Sequence, residues 1–136
     1  MKIKLNRIDD NFAFESENEA GNKITIDTSG GAEQKGFTPM ELLLVGVGGC
    51  SAIDIVHILK KQRQEIESFS VEVEGEKEKV EDYSVWKHIT LHYKLKGKID
   101  PEKAERAAQL SHEKYCSVSK AMRHESEIKF KVTVEE

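Results

Sequence analysis

Residues 38–65 read TPMELLLVGVGGCSAIDIVHILKKQRQE, and this stretch decides the fold. Thr38 is a typical N-cap residue, Pro39 suits the first helical position, and Glu41 can close a capping box three residues after the cap. A long apolar run follows and ends in lysines, which predicts one helix that continues to about Glu65. Because the run is apolar nearly all round, we expect the helix to be buried on nearly every side.

Three glycines interrupt this helix. Gly46, Gly48 and Gly49 each cost up to about 1 kcal/mol relative to alanine, so another contribution must offset them. Close approach of a neighbouring backbone is the simplest explanation. A phosphate-binding loop is disfavoured, because the glycines follow a capped helix start rather than a strand and match neither the Walker nor the Rossmann pattern.

Shorter elements flank the long helix. Period-two alternation predicts a three-stranded antiparallel meander before it and three further strands after it. Asp100 and Pro101 begin a helix that we expect to pause near Tyr115, and Ser117 is the expected N-cap of a short last helix that reaches Arg123. The predicted strands are 2–5, 11–15, 23–27, 67–78, 86–96 and 127–134.

Two connecting segments are predicted to be exposed. The small polar residues 28–36 are typical of a mobile surface loop that borders a site, and the charged residues 79–84 of a solvated connection. In the strand 86–96, Trp86 and His88 share one face, while Leu91 lies on the other.

Composition limits the function classes. With 136 residues, 38% hydrophobic and 34% charged, we expect a single domain over 1–136 without a membrane span, since no stretch approaches about 18 consecutive apolar residues. No secretory signal is evident at the N-terminus, which favours a cytoplasmic protein. The net charge of -4 disfavours nucleic acid as a partner.

Two cysteines, Cys50 and Cys116, are too few for a disulfide scaffold and wrongly spaced for a zinc knuckle. They are either inert core thiols or one redox pair that the fold assembles. Cys116 stands at a predicted helix start, with His112 four residues before it, where a thiolate is favoured.

Other polar residues receive weaker assignments. Asp54 and His57 follow Cys50 on the same stripe of the long helix and are either packing residues or tuners of its thiol. His88 and His92 share a strand face without a third ligand, which favours a solvated pair over a metal site. We therefore expect no metal site and no cofactor.

Three motifs together indicate a family. GFTPMELLL at 36–44, GGCS at 48–51 and HEKYCSVSKA at 112–121 resemble the OsmC/Ohr superfamily of osmotically inducible and organic hydroperoxide resistance proteins, and specifically its YhfA-like branch. The resemblance covers nearly the whole chain, because the order of the predicted elements is also the order found in that superfamily.

The resemblance implies an α+β fold with antiparallel sheets around a long central cysteine helix, built as an intertwined homodimer with sites at the subunit interface. It also implies a peroxiredoxin-like role in oxidative stress. Cys50 would reduce an organic hydroperoxide and become a sulfenic acid, and Cys116 would resolve it to a disulfide. A dithiol reductant of lipoyl type would restore both thiols.

One departure from the family pattern keeps an alternative open. The peroxidase members carry a glutamate where this chain has Met40, and residues 28–36 contain no arginine to pair with it. The alternative is a non-enzymatic dimer that binds or senses a small apolar ligand, with structural cysteines. The candidates that could tune the thiol in place of the missing pair are Glu41, Asp54, His57 and His112.

Overall fold

The computed structural model describes all 136 residues and contains two three-stranded sheets and a long helix that carries Cys50, which confirms the α+β fold. The strands are β1 (Lys4–Arg7), β2 (Phe14–Glu17), β3 (Lys23–Ile26), β4 (Glu65–Val80), β5 (Tyr83–Lys98) and β6 (Glu127–Glu135). The helices are α1 (Pro39–Lys61), α2 (Pro101–Leu110) and α3 (Ser117–Met122), with a 3₁₀ turn at Gly31–Glu33 and a π-helical turn at Ser111–Tyr115.

The chain divides into two units, residues 1–43 and 44–136, and each is described by itself. A single domain over the whole chain therefore stays a prediction. In the first unit, β1, β2 and β3 form the predicted antiparallel meander. The buried Asp27 carboxylate accepts hydrogen bonds from the N–H and hydroxyl of Ser29 and from the backbone N–H of Lys35. These bonds connect both ends of the loop after β3 to the same side chain.

Different hydrogen bonds define the start and the end of α1. At the start, the Thr38 N–H donates to Glu41 Oε1 at 2.8 Å and the Glu41 N–H donates to Thr38 Oγ1 at 3.1 Å, which confirms the capping box. The predicted end at Glu65 was wrong. Arg63 takes φ 59°, and the N–H groups of Arg63 and Gln64 bond back into the last turn, so a Schellman motif ends the helix at Lys61.

Within a single chain, α1 is buried on one face and not on nearly every side. Val47, Gly48, Ser51, Ile55 and Leu59 are buried. On the opposite face, Val45 is 50% and Ile53 65% exposed. The helix also has the length and hydropathy of a membrane span, but the core helix of a soluble protein can have both, so the absence of a membrane span stays a prediction.

The second sheet has the order β4-β5-β6, with β4 antiparallel and β6 parallel to β5. The segment 79–84 is not a loop, because both strands extend until only Glu81 and Asp82 form the turn. A bulge shifts the register between Glu76 and Lys77. The shift places Trp86 on the buried face of β5, which also carries Ile89 and Leu91. His88 is exposed, so the prediction that Trp86 and His88 share one face was wrong.

One helix glycine has the predicted packing role. A Cβ at Gly48 would lie 2.7 Å from Val73 Cγ2, so α1 can lie this close to β4 only without a side chain there. A Cβ at Gly46 would meet only Val118 Cγ1 at 3.5 Å, and one at Gly49 would meet nothing within 4 Å. The close-approach explanation therefore holds for Gly48 and not for the other two.

The segment between α2 and β6 carries the second cysteine, Cys116. The Asp100 side chain caps α2 and Pro101 occupies its first turn, as predicted. After α2 the chain makes the π-helical turn, which closes when the Cys116 N–H donates to the Ser111 carbonyl oxygen at 2.7 Å. Cys116, not Ser117, is the N-cap of α3, which corrects the prediction by one residue.

Candidate active site

The two cysteines lie side by side, although 65 residues separate them in the sequence. Cys50 lies on α1 and Cys116 at the junction between the π-helical turn and α3, and their Sγ atoms are within 4.8 Å of each other. Both thiols are free. A disulfide bond is about 2.05 Å long, so the sulfur atoms must still approach, by a distance on the scale of a side-chain rotation.

The local backbone holds the two sulfur atoms through amide hydrogens. The N–H of Ser119 donates to Cys116 Sγ at 3.3 Å, which is the capping bond of α3. The backbone N–H of Val118 lies close enough to the Cys50 sulfur to lower the pKa of its thiol. Both donors belong to the first turn of α3, so one short segment contacts both thiols. The π-helical turn before it has the irregular geometry that recurs at functional sites.

The two thiols differ in access to solvent. Cys116 is fully buried, whereas Cys50 is half-buried. A solute can therefore reach the Cys50 sulfur first. Reactive cysteines are typically partly exposed, and of the two thiols only Cys50 meets that condition.

The surroundings of Cys50 disfavour its thiolate. Burial raises the pKa of the Cys50 thiol, the hydrogen-bonded thiol of Cys116 adds to the rise, and the Val118 N–H opposes it. The negative charge of Asp54 is a further cause of the rise. No lysine or arginine forms an ion pair with Asp54. The site thus lacks the cation that lowers the pKa of a typical reactive cysteine.

Asp54 completes the cluster on the α1 side. It lies one helical turn after Cys50, and a carboxylate oxygen is within 4.8 Å of both sulfur atoms. The Ser111 hydroxyl donates to Asp54 Oδ2 at 2.8 Å. This bond fixes the half-buried carboxylate against the π-helical turn.

A buried chain of hydrogen bonds runs beside the cysteines. The Tyr93 hydroxyl lies 2.6 Å from Ser51 Oγ and 2.6 Å from His112 Nε2, and His112 Nδ1 lies 3.4 Å from Ser119 Oγ. The His112 ring stacks on Phe130 at 4.9 Å. Burial raises the pKa of Tyr93 and lowers the pKa of His112, so both groups are held neutral.

Sequence reasoning assembled only part of this site. The structure brings Asp54 to the two cysteines, and it places His112 in the adjacent hydrogen-bond chain. Glu41 is engaged in the capping box, and His57 lies on the exposed face of α1. That any of these four residues tunes the thiol stays a prediction.

The residues that sequence reasoning missed are hydroxyl-bearing: Ser51, Tyr93, Ser111 and Ser119. One signal was present. Tyr93 occupies the apolar parity of β5 between Leu91 and Leu95, and a tyrosine hydroxyl on a buried face needs a partner. That partner could be sought only among polar residues on the elements facing β5.

Comparison with known proteins decides the family. The family model described as OsmC-like protein matches residues 30–131. The chain belongs to the OsmC-like family. Protein YhfA of Escherichia coli strain K12 is 38% identical over 109 residues, 79% of each chain.

Two solved structures have the same fold. A hypothetical protein from Aquifex aeolicus VF5 is 34% identical with a TM-score of 0.82, covering 99% of this chain and 97% of that one. The organic hydroperoxide resistance protein OhrB of Bacillus subtilis is 24% identical with a TM-score of 0.67, covering 97% and 96%. At that identity the second likeness concerns the fold alone.

Proposed function

We propose that the protein is a dithiol redox protein that reduces organic hydroperoxides, with Cys50 as the attacking thiol and Cys116 as the resolving thiol. Membership of the OsmC-like family supports a redox or peroxide-resistance role. The observation that carries the proposal is the pair itself: a half-buried and a fully buried free thiol whose sulfur atoms lie within 4.8 Å.

The reaction has two steps at these sulfur atoms. The Cys50 thiolate takes the terminal oxygen of the hydroperoxide, the O–O bond breaks, and the departing alkoxide is protonated to the alcohol, which leaves Cys50 as a sulfenic acid. The Cys116 thiol then attacks the Cys50 sulfur, an S–S bond forms, and water leaves. A dithiol of lipoyl type returns both cysteines to thiols by exchange and becomes a disulfide itself.

The raised pKa of Cys50 makes the first step slow at neutral pH, because only the thiolate attacks. The Val118 N–H is the contact that stabilises the thiolate when it forms. We therefore expect a weaker peroxidase than a protein whose thiol has a cationic partner.

The test uses cumene hydroperoxide on the reduced protein. Mass spectrometry should show an intramolecular disulfide in the wild type, and Cys116→Ser should accumulate a Cys50 sulfenic acid that dimedone traps. Cys50→Ser should form neither product. If both wild-type thiols stay reduced at millimolar hydroperoxide, the proposal fails.

A second candidate function is supported by the surface of α1. Ala52, Ile53, Val56, His57 and Lys60 line a groove of about 370 Å³, large enough for a small apolar ligand. The protein would then bind or sense such a ligand without turnover, and the unactivated cysteines would be structural. Native mass spectrometry of protein taken directly from cells tests this, and an empty groove in every preparation would exclude it.

The exposed apolar face of α1 supports the expected homodimer. Val45 and Ile53 are large apolar residues of the most apolar element and at least half exposed in the single chain. A second copy would cover them. Ile53→Lys should reduce the molar mass measured by light scattering to that of one chain, whereas Lys61→Glu at the exposed end of α1 should not.

A further inference from the structure

We propose that Cys50, Asp54 and Cys116 form a binding site for one Zn²⁺ ion, with an open fourth position. The two Sγ atoms and a carboxylate oxygen all lie within 4.8 Å of one another. A tetrahedral zinc ion with Zn–S of about 2.3 Å and Zn–O of about 2.1 Å sets its ligand atoms roughly 3.5–3.8 Å apart. The cluster therefore needs only a small contraction to hold the ion.

The ligand types select the metal. Two thiolates are soft ligands, which suit Zn²⁺ and not Mg²⁺ or Ca²⁺, and one carboxylate is compatible with zinc. Cys50 and Asp54 lie one turn apart on α1, so the helix fixes their spacing. Cys116 approaches from the other side of the cluster on a different element.

Two of the three ligand atoms already have an outer hydrogen-bond donor. The Ser111 hydroxyl donates to Asp54 at 2.8 Å, and the Ser119 N–H donates to Cys116 Sγ at 3.3 Å. Such partners orient ligands in established metal sites and lower the cost of holding them together. Both donors come from one short segment, residues 111–119.

Charge balance favours a cation in this position. Binding of the metal displaces both thiol protons, so two thiolates and a carboxylate within 4.8 Å then carry three negative charges, and no lysine or arginine is ion-paired with Asp54 to offset them. The divalent ion itself neutralises most of this repulsion. In the metal-bound form the three anionic ligands therefore have the ion, and no protein cation, as their counter-charge.

Water, rather than a fourth side chain, would complete the coordination. Both ring nitrogens of His112 are engaged, Nε2 with Tyr93 and Nδ1 with Ser119. Because Cys50 and Asp54 are half-buried, water can complete the coordination on their side. Three protein ligands and one open position make an accessible site, not a closed structural one.

This inference does not depend on hydroperoxide reduction. The same thiolates cannot bind zinc and form a disulfide at once, so the metal-bound and oxidised forms exclude each other. Zinc binding by the reduced protein is measured without any peroxide, and failure of either proposal leaves the other standing.

The experiment titrates the reduced, chelator-treated protein with ZnCl₂ against a chromophoric chelator. We expect one zinc ion per chain, and CoCl₂ should give thiolate-to-cobalt bands together with the intense visible bands of a tetrahedral site. Cys50→Ser, Cys116→Ser and Asp54→Asn should each abolish the cobalt bands or weaken zinc binding more than about tenfold. Ser111→Ala, which keeps every ligand, should weaken binding by roughly 10–100-fold.

Two controls separate this site from surface binding and from misfolding. The double variant His88→Gln with His92→Gln removes an exposed histidine pair and should leave zinc binding unchanged. Reversible blocking with methyl methanethiosulfonate should abolish binding in the wild type, and phosphine reduction should restore it. The proposal is overturned if the wild type binds no zinc, if Cys50→Ser or Asp54→Asn binds it unchanged, or if the histidine variant loses it.

Discussion

The Tyr93 hydroxyl lies 2.6 Å from His112 Nε2 and 2.6 Å from Ser51 Oγ, and so joins β5, the π-helical turn and α1 at a single buried oxygen atom. These three elements carry or adjoin the two cysteines. Phe69 and Phe130 contact the Tyr93 ring and exclude water from it. The Tyr93 hydroxyl therefore links the elements around the cysteine pair, although no hydrogen bond joins it to either sulfur atom.

Tyr93→Phe measures how much this hydroxyl contributes to stability. The ring contacts remain, but Ser51 and His112 lose a buried hydrogen-bond partner, so the free energy of unfolding should fall by about 1–3 kcal/mol. Urea denaturation measures the change. Tyr83→Phe, at the exposed start of β5, is the matched control and should stay within about 0.5 kcal/mol of the wild type. Equal losses in the two variants would contradict the prediction.

His112 should make stability depend on pH in mildly acidic solution. Burial lowers its folded pKa, and Asp54 opposes the shift. Below about pH 6.5 the unfolded chain binds a proton that the folded chain does not yet bind, so stability falls as the pH falls through that range. His112→Gln should flatten the dependence in urea unfolding below about pH 6.5. His124→Gln, at an exposed histidine, should keep it; a wild-type slope in His112→Gln would refute the assignment.

The sequence predicted those features that depend on residues close together in the chain. Both bonds of the Thr38 and Glu41 capping box follow from residue types three positions apart, and the strand alternation follows from burial of one face. It did not predict the end of α1, because the left-handed Arg63 has no glycine to mark it. The bulge that moves Trp86 was also missed, since it depends on the cross-strand register.

The cysteines of the candidate site could be predicted from the sequence, but the hydrogen bonds that hold the residues around them could not. Cys50 and Cys116 stand in recognisable motifs, and Asp54 follows from helical spacing. The Ser111 bond to Asp54 joins residues 57 positions apart, and the Tyr93 bond to His112 needs the packing of β5 against the π-helical turn. Such partners are set by tertiary structure, so no local pattern identifies them.

Asp54→Asn should make Cys50 more reactive toward alkylation at neutral pH. The carboxylate is one cause of the raised thiol pKa, after burial and Cys116, so its removal should lower that pKa. Iodoacetamide rates are compared by mass spectrometry in a Cys116→Ser background, where only one thiol reacts. Asp82→Asn, in the exposed turn between β4 and β5, is the control. An unchanged or slower rate in Asp54→Asn would show that the charge does not disfavour the thiolate.

Gly48→Ala should destabilise the protein although alanine favours helices. The new Cβ would lie 2.7 Å from Val73 Cγ2, a contact that forces α1 or β4 to shift and costs about 1–3 kcal/mol in free energy of unfolding. Gly46→Ala meets only an ordinary contact at 3.5 Å and should be neutral or stabilising by up to about 1 kcal/mol. The cost should shrink in a Val73→Ala background, where the obstructing methyl group is absent, because the two sites then no longer compete for space. Urea denaturation of the four chains in that cycle measures the coupling, and additive losses would mean that Gly48 is required for a reason other than its approach to Val73.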